Sequence, residues 1–220
     1  MNAITLSTPA QPRLDRSTAH VVGLLLLFLW LAALVCWSVS FTQYKGQAGS
    51  IGAVAEYWPT ACGLEPASQG PTLLMFVHPK CPCSRASLTE LEMALPRLPN
   101  LRQATVVLYS PSPCPADWRR GDIVERVAAI DGLTTVWDEG GKLAASFGVQ
   151  TSGHVLLYDR SGRLRFTGGI TPARGHEGDN RGRALLEHAA TEDRSEILTA
   201  AVYGCPIVEK APQDAARDGT

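Results

Sequence analysis

An uninterrupted apolar stretch near the N-terminus is the longest hydrophobic pattern in the chain. Residues 21–37 contain no charged side chain, and no charge intervenes between Arg16 and Lys45. A helix needs about 20 residues, at about 1.5 Å of rise each, to cross the hydrocarbon core of a bilayer. The pattern therefore predicts a transmembrane helix over residues 20–41, preceded by a short segment, residues 1–19.

The charges beside this stretch orient it in the membrane. Arg13 and Arg16 precede it and Lys45 follows it, a weak bias that leaves residues 1–19 in the cytoplasm. A cleaved export signal is the alternative, because residues 38–40 are small at a suitable cleavage site, but the apolar run is long for a signal. We favour a membrane anchor, and either interpretation places the bulk of the chain in the periplasm or its extracytoplasmic equivalent.

Short apolar runs alternate with helical patterns through the rest of the chain. Apolar and β-branched runs predict strands, whereas apolar side chains recurring every three or four positions predict helices. The predicted strands are residues 72–77, 104–109, 133–137, 155–158 and 163–167, and the predicted helices are residues 84–95, 117–130, 142–147 and 183–201. This order predicts an α/β fold whose last two strands form an antiparallel hairpin.

The polar segments set the domain boundaries. Residues 42–57 are rich in glycine, alanine and serine, which predicts a linker that holds the folded domain off the membrane. Residues 206–220 predict a disordered tail, which leaves one domain over residues 58–205. The formal net charge is −1 and the basic residues are scattered, so the charge pattern excludes a nucleic-acid-binding function.

A Cys-Pro-Cys motif, with Cys81 and Cys83, lies between the first predicted strand and the helix that follows. The first N–H groups of a helix lack intrahelical partners and the dipole is positive there, which stabilises a thiolate. Lys80 and Arg85 add positive charge, and Ser84 offers a hydrogen bond to the Cys81 thiolate. Because a thiolate attacks disulfides and binds soft metals, Cys81 is the main candidate for a reactive group.

Three stretches together resemble a known class of exported proteins. They are FVHPKCPCSR at residues 76–85, the WD and FGV motifs at residues 137–138 and 147–149, and VLLYDRSGRL at residues 155–164. Over residues 58–205 the chain resembles membrane-tethered thioredoxin-fold proteins of the TlpA-like kind, and more closely the RedB-type family. The resemblance implies a thioredoxin-like fold, with a central mixed sheet flanked by helices. It also implies thiol–disulfide oxidoreductase activity without a cofactor, a protein client and a redox partner that recycles the pair.

The cysteine spacing departs from the thioredoxin pattern. Cys81 takes the place of the nucleophilic first cysteine, Ser84 takes the place of the second, and Cys83 comes one residue early. Side chains two apart in a helix point to nearly opposite sides, so a Cys81–Cys83 disulfide is expected to be strained and readily reduced. Alternatively, Cys81 attacks alone and the mixed disulfide is resolved by Cys83, by Cys114 or by an outside thiol.

A second departure lies before the fourth predicted strand. Gly153 occupies the position at which the family carries a cis-proline, so a trans peptide bond is expected there. His154 follows, and this placement resembles the copper-handling Sco-type branch of the fold. Cys81, Cys83 and His154 would form a soft site suited to Cu(I), so copper or other soft-metal binding and delivery is the alternative function. A single histidine of this kind is more often buried and hydrogen-bonded than a ligand.

The remaining cysteines admit several pairings. Cys62 precedes the first predicted strand and Cys205 follows the last predicted helix, so a bridge between them would tie the ends of the domain together. In the chain-entropy model such a loop is worth about 4–5 kcal/mol. The alternatives are two unpaired thiols, or one of them serving as a redox partner of Cys81. Cys36 belongs to the membrane span, and Cys114 in a proline-rich loop is interpreted as a bystander.

A glycine-rich loop, residues 168–180, also carries chemically active side chains. His176 and Glu177 would contact substrate or metal if the loop covered the site. The alternative is turn chemistry, with glycines at positive φ and Asp179 or Asn180 capping the next helix. We favour turn chemistry because the loop has no metal-ligand spacing.

Overall fold

The computed structural model describes residues 16–98, 100–191 and 196–208. The predictions made for residues 1–15 and 209–220 lie outside these ranges. The chain divides into two units, Met1–Tyr44 and Lys45–Thr220. Helix α1, Arg16–Gly46, contains the predicted apolar span, and Ser17–Gly46 is long and apolar enough to cross a membrane. An N-terminal export signal meets the same criteria, so both interpretations of this segment stand.

The second unit is a six-stranded sheet with helices on both faces. Its elements are β1 (Thr72–Val77), α2 (Ser84–Ala94), β2 (Gln103–Ser110), α3 (Asp122–Ala129), β3 (Leu133–Glu139), α4 (Lys142–Phe147), β4 (His154–Tyr158), β5 (Leu164–Gly169), α5 (Arg181–Thr191) and β6 (Leu198–Thr199). The strand order is β3-β2-β1-β4-β5-β6. β1, β2 and β3 are parallel, β4 runs antiparallel to β1 and β5, and β6 runs parallel to β5. The predicted mixed α/β fold with an antiparallel hairpin is confirmed.

β1 is the central strand, and all six of its residues are buried. Met75 packs on one face in a core that includes Leu88 of α2, and Phe76 packs on the other face near Phe147 of α4. An unbroken apolar run is what a strand covered on both faces requires. Burial on both faces fixes the carboxyl end of β1, and the turn that carries the Cys-Pro-Cys motif starts there.

Two helix boundaries differ from the prediction by more than two residues. α3 begins at Asp122 rather than at residue 117, because Gly121 precedes it with φ +129°, a conformation that no helix contains. α5 ends at Thr191, and the predicted helix over residues 183–201 is wrong at residues 196–201. Leu198–Thr199 pairs with β5 as β6, because backbone pairing at the open sheet edge outweighs a weak helical pattern. Residues 192–195 lie outside the described residues.

The folded domain is longer than residues 58–205 at both ends. In the predicted linker, the Gly49 N–H donates to the Val202 carbonyl at 2.8 Å, and the Glu56 carbonyl accepts the Leu164 N–H at 2.8 Å. In the predicted tail, Ile207 is buried and its N–H donates to the Gln150 carbonyl at 2.9 Å. These backbone bonds make the flanking segments part of the domain, because they satisfy polar groups that burial would otherwise leave unpaired.

Candidate functional site: a cluster of three thiols

The turn after β1 holds Cys81 just outside the helix. The Cys81 N–H donates to the His78 carbonyl at 3.0 Å, and the Cys81 carbonyl accepts the Ser84 N–H at 3.1 Å. α2 begins at Ser84, so Cys81 lies before the first turn of the helix. The side chain of Cys81 is almost fully buried, with 2% of the residue exposed. The structure thus places Cys81 at the strand-to-helix turn that the sequence indicated.

Two further thiols meet Cys81 at this turn. The Sγ atom of Cys205 lies 2.9 Å from the Sγ atom of Cys81. The sulfurs of Cys81, Cys83 and Cys205 all lie within 4.8 Å of one another, and we call this group the three-thiol cluster. Cys83 and Cys205 are half-buried. The cluster is therefore closed on the Cys81 side and partly open to solvent on the side of the other two thiols.

The segment around Cys205 is held against the chain that precedes β4. The Cys205 carbonyl accepts the Ser152 N–H at 2.8 Å, and Thr151 and Pro206 form an isolated β-bridge. Gly204 makes this approach feasible, because a Cβ atom there would overlap the Ser152 carbonyl oxygen. A chain segment far from the Cys-Pro-Cys motif in sequence is thereby fixed beside it.

The possible Cys62–Cys205 disulfide, one of the pairings that the sequence left open, is not formed in the structure. Both residues are free thiols, and the Cys62 thiol donates to the Leu64 carbonyl at 3.4 Å. Cys62 packs in the core with Tyr158, which pairs with Thr72 at the start of β1, whereas Cys205 lies beyond the other end of that strand. The two cysteines thus lie near opposite ends of β1. The alternative in which Cys205 partners Cys81 agrees with the structure.

The expectation that Cys81 and Cys83 point to opposite sides is also corrected. Opposite orientations require both residues to lie within a regular helix. Cys81 lies before the helix, and Cys83 is its N-cap residue with φ −68° and ψ −22°. Their sulfurs consequently come within 4.8 Å of each other.

The surroundings of the three thiols make them electrostatically unequal. Burial raises the pKa of the Cys81 thiol, but hydrogen bonds from the thiol and backbone of Cys205, the Ser84 hydroxyl and the Cys83 backbone outweigh it. The net pKa of Cys81 is lowered. Burial and then the neighbouring Cys81 raise the pKa of Cys83, and burial with the same neighbour raises the pKa of Cys205 to about 12. Cys81 is therefore the thiol that ionises first.

The positive charge near the cluster comes from an unpredicted residue. The Lys80 ammonium lies over the Trp118 ring, 5.7 Å from its centroid, and Arg85 forms an exposed ion pair with Asp122. Both side chains therefore have other partners, contrary to the expectation that their charges stabilise the Cys81 thiolate. Burial raises the pKa of both Cys83 and Cys205, and the charge of Arg174 offsets part of that rise; its guanidinium also donates to the Gly204 carbonyl.

Ser84 and Gly153 support the turn through close contacts. The Ser84 hydroxyl contributes to lowering the pKa of Cys81, donates to the His78 carbonyl at 3.3 Å and lies 2.9 Å from the Ser152 hydroxyl. The Gly153 N–H donates to the Phe76 carbonyl at 2.8 Å, and its φ of +86° favours glycine. A Cβ atom at Gly153 would lie 2.7 Å from Ser87 Oγ. Among the described residues the cis peptide bond is Ser112–Pro113, so the bond before Gly153 is trans as predicted.

His154 does not join the cluster. Its side chain is fully buried, its Nε2 atom lies 2.7 Å from Thr167 Oγ1, and burial lowers its pKa to about 4. The predicted ligand set of Cys81, Cys83 and His154 is therefore not assembled, because Cys205 occupies the third position. His78 is likewise structural, since its ring stacks on Tyr109 with centroids 5.3 Å apart.

The glycine-rich loop follows turn chemistry, as predicted. The Asn180 Oδ1 atom accepts the Arg183 N–H at 2.8 Å and so caps α5, and Gly178 has φ +120°. Glu90, fully buried on α2, accepts the Gly178 N–H at 2.6 Å and pairs with Arg183. An acidic residue on the apolar side of a predicted helix was the available sequence signal for this anchor. The loop is thereby fixed to α2 while Arg174 extends from it toward the cluster.

The sheet order, with a cysteine at the turn after the central strand, defines a thioredoxin-like fold. No family model and no curated protein matches the sequence. A hypothetical protein from Sinorhizobium meliloti is similar in structure, with 17% identity, a TM-score of 0.49, and coverage of 74% of this chain and 96% of that one.

Two further solved structures are also similar. StoA from Bacillus subtilis has 16% identity and a TM-score of 0.41, over 64% of this chain and 98% of its own. A secreted disulfide oxidoreductase from Mycobacterium tuberculosis has 16% identity and a TM-score of 0.37, over 55% of this chain and 80% of its own. These similarities are too distant to assign an activity to this chain.

Proposed function

We propose that this chain is an exported, membrane-tethered thiol–disulfide redox protein in which Cys81 is the nucleophile and Cys205 is the resolving thiol. The contact between their sulfurs, at 2.9 Å, is the observation that carries the proposal. A disulfide bond is about 2.05 Å long, so a small side-chain movement closes the pair. The apolar helix α1 and the sequence resemblance to TlpA-like and RedB-type proteins support export and a tether.

The exchange proceeds through two balanced steps. The Cys81 thiolate attacks one sulfur of a client disulfide, and the other client sulfur leaves as a thiolate. The Cys205 thiol then gives its proton to that departing thiolate and attacks Cys81 Sγ. A Cys81–Cys205 disulfide forms, the second client thiolate is released and takes a proton from solvent, and two electrons have passed to the client. The reverse sequence oxidises a client dithiol, and a redox partner restores the starting state in either direction.

Cys205 is a better resolving thiol than Cys83 for a geometric reason. A Cys81–Cys83 disulfide closes a small ring around Pro82, whose φ is fixed, so closing it strains the turn. Cys205 comes from a separate segment whose backbone is bonded at Ser152 and Gln150. Its disulfide with Cys81 closes a long loop that the sheet already holds together.

The pairing can be tested on the full chain in detergent. Equilibration with glutathione buffers, followed by acid quenching, alkylation and peptide mapping, should show one two-electron couple and a Cys81–Cys205 disulfide. Cys81→Ser and Cys205→Ser should abolish the couple. Cys83→Ser should retain it, as should Cys62→Ser, the matched control for a half-buried thiol outside the cluster. A disulfide between Cys81 and Cys83 in the peptide map, or the absence of any two-electron redox couple, would contradict the proposed pairing.

A further inference from the structure

We propose that the three-thiol cluster, in its reduced state, is a binding site for Cu(I) with Cys81, Cys83 and Cys205 as its three ligands. The proposal is independent of the exchange reaction, which needs only Cys81 and Cys205. Three sulfurs from two separate chain segments meet within 4.8 Å of one another. An exchange reaction alone gives Cys83 no role, whereas a metal site uses all three sulfurs.

The spacing of the sulfurs suits a three-coordinate metal. A thiolate lies about 2.3 Å from a bound first-row metal ion, so three sulfurs around one ion in a plane are about 4.0 Å apart. All three pairs lie within the 4.8 Å limit, and the Cys81–Cys205 pair, at 2.9 Å, must open by about 1 Å. The backbone of Cys205 is held by Ser152, so rotation of its side chain supplies that change.

The chemistry of the donor atoms selects the ion. The cluster contains sulfur ligands and neither a carboxylate nor an imidazole. Thiolates favour soft ions such as Cu(I), whereas Mg²⁺ and Ca²⁺ require oxygen ligands. A structural zinc site takes four ligands, one more than the cluster provides. Cu(I) therefore fits the set of ligands most closely.

The charge around the cluster suits a thiolate site. Three thiolates and one Cu(I) ion carry a net charge of −2, which is costly to hold in a partly buried position. The Arg174 guanidinium donates to the carbonyl of Gly204, the residue before Cys205, so its positive charge offsets part of that cost.

Binding can be measured on the reduced full chain in detergent without oxygen. Cu(I) supplied as its bicinchoninate complex should transfer to the protein at one ion per chain, and X-ray absorption should report three sulfur neighbours. Replacing any one of Cys81, Cys83 or Cys205 with serine should weaken binding by more than about 100-fold, because loss of even an indirect support for a metal costs about 10–100-fold. Cys62→Ser and His154→Gln should leave both affinity and stoichiometry unchanged.

Cys83→Ser separates this proposal from the redox function. It should lose Cu(I) yet keep the Cys81–Cys205 couple, and the retained couple also shows that the variant is folded. The proposal is overturned if the wild-type chain takes no Cu(I), or if Cys83→Ser or Cys205→Ser binds it as tightly as the wild type. A wild-type chain with a normal redox couple and no Cu(I) would overturn this proposal alone.

Discussion

At the scale of single residues, the site depends on an unequal division of protons among three similar thiols. Cys81 is the most buried, yet its pKa is lowered because Cys205, Ser84 and Cys83 direct hydrogen bonds to it. A thiol's burial alone would have the opposite effect. The reactive thiolate is therefore stabilised by hydrogen bonds from its neighbours, and the same contacts keep Cys205 protonated until the second step.

This division predicts a pH dependence for Cys205→Ala. The variant removes the thiol hydrogen bond that lowers the pKa of Cys81 most. The thiolate fraction at a given pH then falls, so the midpoint of Cys81 alkylation by iodoacetamide should move to higher pH, measured by quantitative peptide mapping. Cys205→Ser, which keeps a hydroxyl donor, should move it less, and Cys62→Ala should leave it unchanged. A midpoint that stays in place in Cys205→Ala would show that this hydrogen bond does not tune Cys81.

At the scale of elements, the site depends on how closely the segment at Gly204 approaches the segment before β4. The overlap of a Cβ atom at Gly204 with the Ser152 carbonyl leaves no room for any other residue. The same approach carries Cys205 to Cys81. The stability of the C-terminal segment and the formation of the cluster are therefore coupled.

Gly204→Ala is the direct test of this coupling. Overpacking of this kind costs about 1–3 kcal/mol, and the displaced segment should carry Cys205 away from Cys81. We expect a lower free energy of unfolding in urea and slower or absent formation of the Cys81–Cys205 disulfide. Gly46→Ala, where a Cβ atom would meet no atom within 4 Å, should change neither quantity. A Gly204→Ala chain with wild-type stability and couple would refute the coupling.

At the scale of the whole molecule, the elements that the sequence predicted are those with a local pattern. The apolar run of β1, the strand-to-helix turn at Cys81 and the Asn180 cap each depend on neighbours in sequence. The contact of Cys205 with Cys81 spans 124 residues and depends on the strand order and on the β-bridge at Pro206. No local pattern encodes such a contact.

The same distinction between near and distant sequence neighbours explains why the charges predicted around Cys81 differ from those in the structure. Lys80 and Arg85 are close to Cys81 in sequence, but Trp118 and Asp122 draw their side chains elsewhere. Arg174 is distant in sequence, yet it supplies the charge because Glu90 fixes its loop to α2. Proximity along the chain is therefore a poor guide to which charges surround a buried thiol.

The central claim is that Cys205 resolves the mixed disulfide formed by Cys81. Trapping that mixed disulfide tests the claim most directly. The reduced full chain is mixed with glutathione disulfide, quenched with acid at intervals and analysed by mass spectrometry. In Cys205→Ser we expect a persistent glutathione adduct on Cys81, whereas the wild type and Cys83→Ser should carry the adduct only transiently before the Cys81–Cys205 disulfide forms. Persistence of the adduct in Cys83→Ser, with prompt resolution in Cys205→Ser, would contradict the claim.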